Sequence, residues 1–121
     1  MAKEKIKIDL RHGEFNADLN GVAFKEGNSW IVYLPSLRIS GYGDTYQEAH
    51  ELVKESLNVF SDNLLKMPES EIMNILRGFG WEKSKFFNKQ LRHLSDTTFE
   101  DIKKQFNLPD DTKVEELQIA V

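Results

Sequence analysis

A chain of 121 residues can build one compact core and is too short for two well-buried ones. Hydrophobic residues make up 40%, charges of both signs are interspersed, and the formal net charge is −4, which excludes wholesale disorder and argues against a general polyanion binder, since that affinity needs concentrated positive charge. No cysteine is present, so disulfides, thiolate metal sites and cysteine nucleophiles are excluded.

Met1 to Lys5 leads into an alternating pattern without an apolar signal core, and no apolar run approaches the roughly 20 residues that cross a bilayer. The expectation is a soluble, cytoplasmic protein. Ile6, Ile8 and Leu10 alternate with charged residues, as in a strand with one buried face, until Gly13 interrupts them. Phe15, Ala17 and Leu19 repeat the alternation up to Asn20-Gly21, and Val22 and Phe24 resume it. Either a hairpin turns at Asn20-Gly21, or one long strand bends there around a bulge; the bend is favoured.

Glu26-Gly27-Asn28 reads as a turn, and Trp30 to Leu34 as a strand with apolar residues on both faces. A sheet covered on one side only would show a polar second face, so Ile31 and Tyr33 should be covered by the C-terminal region or by a second copy of the chain. Pro35 ends this strand. Thr45 and Glu48 have capping-box spacing, and Ala49, Leu52, Val53, Leu57, Phe60 and Leu64 recur at helical steps, predicting a helix over Tyr46–Leu65.

Pro68 suits the first turn of a second helix through Ile72, Met73, Ile75 and Leu76, with Gly78 and Gly80 at its end. Trp81 to Phe87 reads as a short strand with an ambiguous pattern, and His93 as part of a loop. Asp96-Thr97-Thr98 before Glu100 and Asp101 opens a third helix, with Phe99, Ile102 and Phe106 as its buried stripe. Leu117, Ile119 and Val121 alternate in a final strand. The expected class is α+β: a small antiparallel sheet with a long packing helix over residues 1–67, and a helix-strand-helix-strand extension over 68–121 packed on it as one domain.

Phe24 to Leu37 has a charged turn, an aromatic-x-Val strand and a Pro-x-Leu corner, and Gly43-Asp44-Thr45-Tyr46-Gln47-Glu48-Ala49 follows at close to the expected distance. Together these resemble the HicB-like antitoxins, over residues 22–64 only. The resemblance implies a reduced ribonuclease-H-like fold and a protein partner such as a small ribonuclease toxin. Two features depart from that pattern: Pro35-Ser36-Leu37-Arg38-Ile39-Ser40 stands where the family has Pro-Asp-Leu-Pro-Gly-Cys, and the segment from Glu69 onward matches neither a ribbon-helix-helix nor a helix-turn-helix tail.

No catalytic, cofactor or metal site is predicted. His12, His50 and His93 lack partners at metal-ligand spacing, the paired carboxylates sit at helix starts or in loops, and no serine elbow or phosphate loop occurs. The expectation is therefore a non-enzymatic binding protein, with Ile31, Tyr33, Tyr42 and Tyr46 as partner-binding residues and self-association as a homodimer as another route. The alternative is a single-stranded nucleic-acid binder: Arg77, Lys83, Lys85, Lys89 and Arg92 interleave with Phe79, Trp81, Phe86 and Phe87, as stacked bases and paired phosphates require. The plainer reading of that segment, aromatics in the core and lysines at its rim, is preferred. A solitary, repurposed HicB-like protein is the remaining alternative.

Overall fold

Alternating Ile6 and Ile8 form strand β1 (Lys5–Asp9), which turns back into β2 (Glu14–Glu26). A computed structural model describes residues 3–85, 89–94 and 98–121. The strand β2 runs 13 residues straight through Asn20-Gly21, so the hairpin reading does not hold. It turns at Gly27-Asn28 into β3 (Ser29–Leu34), followed by β4 (Ile39–Gly43). Next come α1 (Tyr46–Leu65), α2 (Glu69–Gly78), β5 (Trp81–Lys83), β6 (Gln90–His93), α3 (Phe99–Gln105) and β7 (Glu115–Ala120). All strand pairs are antiparallel and belong to a single seven-stranded sheet.

The long strand organises the sheet. Asp18 pairs with both Lys5 and Ala120, and Val22 with both Tyr33 and Glu116. Each residue has one partner per edge, so β7 takes one edge of β2 while β1 and β3 share the other, end to end. The register against β7 is unbroken from Asp18 to Ala23, so no bulge interrupts that edge. Between β1 and β3, the Glu4 carboxylate fills the gap, accepting from the Asn20 N–H (3.0 Å) and the Ser36 hydroxyl (2.7 Å). Asn20 and Ser36 are the buried polar residues of the interior, and this carboxylate helps satisfy them.

Each face of the β2–β3 pair carries its own core. On one, Leu19, Ala23, Val32 and Leu34 pack with Ala49, Val53 and Leu57 of α1 and with Ile72 and Leu76 of α2. On the other, Val22, Phe24 and Tyr33 pack with Ile102 of α3, flanked by Ile31, Phe99 and Phe106. Phe106 lies 5.1 Å from the Phe24 ring, tilted to it, and 5.0 Å from that of Tyr33, edge-on, and such ring pairs add about 0.5–1.5 kcal/mol each beyond burial. The C-terminal region thus covers Ile31 and Tyr33, as the two-faced apolar pattern requires.

Helix α1 has the predicted bounds, and its N-terminus shows why. The Thr45 hydroxyl accepts from the Glu48 N–H at 3.1 Å, while the Glu48 carboxylate accepts from the N–H of Asp44, one residue before the cap. Helix α3 closes the full reciprocal box between Thr98 and Asp101, and its two hydrogen bonds with Thr98 hold the Asp101 carboxyl below its usual range. Pro68 caps α2 from just outside the helix rather than lying in its first turn. A Cβ at Gly78, the last residue of α2, would meet nothing within 4 Å. Gly78→Ala is therefore expected to be neutral or to stabilise by up to about 1 kcal/mol in urea unfolding.

Two expectations for the C-terminal half need correction. The ambiguous strand ends at Lys83, and the segment with His93 is a strand, β6, not a loop. Only Leu91 is an apolar residue in β6, so its side chains hardly announce it; it forms because its backbone pairs with both β1 and β5. The extension therefore reads helix, two strands, helix, strand. It does not merely rest on the first half, since β6 joins β1 and β7 joins β2 within one sheet. Among the described residues, no helix is long and apolar enough to cross a membrane.

Candidate partner-binding surface

The four aromatic and aliphatic residues expected at a partner surface divide into two pairs. Tyr33 is 4% exposed beneath α3, and its hydroxyl accepts from the Gln105 side chain at 2.9 Å. Ile31 is half-buried in the same cluster. Tyr33 is taken up inside the chain, which corrects its assignment to a partner, while Ile31 keeps part of its surface open. Tyr42 and Tyr46 remain outside, 72% and 39% exposed.

Their setting follows from the β4–α1 corner. Gly41 lies directly under the helix: a Cβ there would come within 2.6 Å of the Ala49 carbonyl oxygen and 2.8 Å of the Val53 nitrogen. At Gly43 a Cβ would sit 2.5 Å from the Glu48 Cβ. Removing two side chains lets α1 rest on the strand backbone and sets Tyr46, at the start of α1, edge-on against Trp30 (centroids 5.8 Å apart). Lys25 Nζ lies 5.6 Å from the Trp30 ring centre, and His50 lies 5.7 Å from Tyr46. Trp30 and Lys25 were not singled out in the sequence; their partnership depends on cross-strand register, Lys25 pairing directly with Trp30.

The basic and aromatic segment is arranged differently from a nucleic-acid groove. Trp81 is fully buried, donates its indole N–H to the Ser36 carbonyl at 2.9 Å, and stands edge-on to His93 at 5.1 Å. Phe79 packs against the same core, and Phe86 and Phe87 lie outside the described residues. Lys83 pairs with Glu69 (3.3 Å), Lys89 with Asp9 (2.9 Å), and Arg92 donates its Nε–H to Glu82 (2.9 Å). Arg77 and Lys85 are exposed, with no ion pair among the described residues. Neither described aromatic is placed for stacking with a base, so the core-and-rim reading fits this segment.

No family model, curated protein or solved structure matches this chain.

Among the described residues, no group of three or more His, Asp or Glu is placed to hold a metal ion. One carboxylate is strongly perturbed. Asp9 receives Lys89 Nζ and the His12 ring nitrogen, each at 2.9 Å, and the His12 backbone N–H at 3.2 Å. These contacts, Lys89 foremost, hold its carboxyl well below the usual carboxylate range. The group ties the β1–β2 turn to the entry of β6, where the Ile8 N–H also reaches the Lys89 carbonyl. Because the folded-state value is depressed, its contribution is complete above the ordinary carboxylate range and is lost as the pH falls through and below it. Melting temperatures measured between about pH 5 and pH 2 should therefore fall more steeply for the native chain than for Asp9→Asn; parallel curves would contradict the clip.

Proposed function

We propose that this chain is a non-enzymatic binding protein of HicB-like type, whose partner is another protein. The observation that carries the reading is the β4–α1 corner. Gly41 and Gly43 seat the helix, Thr45 caps it, and Tyr42 and Tyr46 stay exposed on either side of the connection. Gly43 and Thr45 belong to the helix start that, together with residues 24–37, carries the HicB-like resemblance. Exposed tyrosines held by a rigid corner suit protein recognition, since they bury a large area with little loss of rotamer freedom. On this reading the partner is a small ribonuclease toxin, and the C-terminal half, which contributes the three strands β5, β6 and β7 to the sheet, serves the fold of the binding domain.

The test is co-expression with the product of the adjacent reading frame. A stable complex by size-exclusion chromatography, and relief of growth inhibition caused by that product, are expected. Tyr42→Ala combined with Tyr46→Ala should weaken the complex by about tenfold or more. Separate elution of the two proteins with unrelieved toxicity would remove the HicB-like reading.

A further inference from the structure

The free side of β4 has the features of a docking site for one more strand. Ala17 and Val121 exchange both of their backbone hydrogen bonds (3.2 and 2.9 Å), so the odd-numbered residues of β2 face β7 and the even-numbered ones face the other edge. The Asn20 N–H pointing at Glu4 agrees. Carried through the registers, Ile31 and Tyr33 face β2, while Trp30, Val32 and Leu34 face β4. That leaves the N–H and C=O groups of Ser40 and Tyr42 directed outward, away from every other strand of the sheet.

Edge strands are ordinarily protected by charge or shortness. Here β5 has three residues, including Glu82 and Lys83, and β7 begins Glu115-Glu116. By contrast β4, Ile-Ser-Gly-Tyr-Gly, carries no charge and no proline. The helix above completes a groove. Helix α1 seats Ala49 and Val53 on Gly41, and the helical step puts Leu52, Ser56 and Val59 on the flank of α1 next to Ala49, away from Leu57 and Leu64. Val59 is 60% exposed there. Asp44 and Glu48 place two carboxylates at the end of the strand.

We infer that this edge accepts an extended, basic segment of the partner as an added strand, with apolar side chains under the α1 flank and a lysine or arginine toward Asp44 and Glu48. The inference rests on the binding-protein reading above and names its surface. A second copy of the chain fits the same edge less well. The two-fold register that would set Arg38 against Asp44 of the copy centres on Gly41, where α1 touches the strand backbone. Paired strands lie about 5 Å apart, whereas packed helices need about 8–10 Å between axes, so a copy on this edge would crowd the two α1 helices, which disfavours it against an extended segment.

The test uses short fluorescein-labelled peptides that alternate valine with lysine, and counterparts with glutamate in place of lysine. Anisotropy should show binding of the lysine peptide that weakens with salt, and the glutamate peptide should bind at least about tenfold more weakly. Hydrogen exchange should slow at the Ser40 and Tyr42 amides. Ser40→Pro removes an outward N–H and leaves the β3 ladder intact, and Val59→Asp alters an exposed side chain; each should cost about tenfold in affinity with thermal melting unchanged. No binding at about 1 mM peptide, equal binding of both peptides, or unprotected Ser40 and Tyr42 amides would overturn the inference. So would a dimer that Ser40→Pro dissociates. If the adjacent gene product binds and neither variant weakens it, the edge assignment fails while the binding-protein reading stands; if the lysine peptide binds as described and no gene product does, the reverse holds.

Discussion

Gly41→Ala will lose stability on the scale of a large core defect, although it adds one methyl group. The new Cβ would lie 2.6 Å from the Ala49 carbonyl oxygen and 2.8 Å from the Val53 nitrogen, both backbone atoms of α1. No rotamer change relieves a clash with backbone, so the helix must lift from β4 and open the contacts of Ala49, Val53 and Leu57 beneath it. The cost should be about 3 kcal/mol or more, at the upper end of overpacking. For a domain with about 5–15 kcal/mol in total, that is a substantial fraction. Chemical denaturation measures it, with Gly78→Ala as the matched control where the same methyl meets open space. A Gly41→Ala midpoint equal to that of the native chain would mean that α1 does not rest on the strand as described.

Trp81→Ala is the second large effect, and it separates two accounts of the basic segment. Trp81 is fully buried, and its indole N–H is spent on the Ser36 carbonyl, next to the Leu37 that enters the same core. Truncation removes the largest side chain of that core and leaves the carbonyl unpaired, for an expected loss of about 3–5 kcal/mol. Lys83→Ala and Lys85→Ala should each change stability by less than about 1 kcal/mol, because the Lys83 pair is exposed and Lys85 has no ion pair among the described residues. Salt-dependent binding of single-stranded oligonucleotides, reduced by Lys83→Ala with Lys85→Ala and unaltered in fold, is the result that would restore the nucleic-acid account. Unchanged or absent binding leaves Trp81 as a core residue and the lysines as its rim.

Legibility from the sequence differed by element, for physical reasons. The α1 bounds were readable because capping and a 3.6-residue stripe are both local signals, and Thr45 and Leu65 fall where they predict. The two-faced strand was readable because Ile31 and Tyr33 are apolar where a one-sided sheet would be polar. What covers them was narrowed only to the C-terminal region or a second copy. Phe106 and Ile102 of the same chain cover them, contacts about 70 residues away in sequence. The β6 strand was missed because its stability lies in backbone pairing with β1 and β5, and a single apolar Leu91 gives no periodicity to read.

The candidate surface shows the same division. Tyr42 and Tyr46 could be named from a glycine-led turn into a capped helix, but their exposure, and the loss of Tyr33 to the interior, depend on which face α3 covers. The outward direction of the Ser40 and Tyr42 backbone groups follows from registers propagated through three strands. By itself the sequence determined the α+β class, the long helix with its cap, and the need for cover on both faces of the central strand, since these arise from propensities and spacings within a few residues. Tertiary structure alone decided that β1 and β3 share one edge of β2 with Glu4 between them, that β6 and β7 complete the sheet, and that β4 is left open. Strand partnership is set by backbone hydrogen bonds between distant segments, and those bonds leave little trace in side-chain pattern.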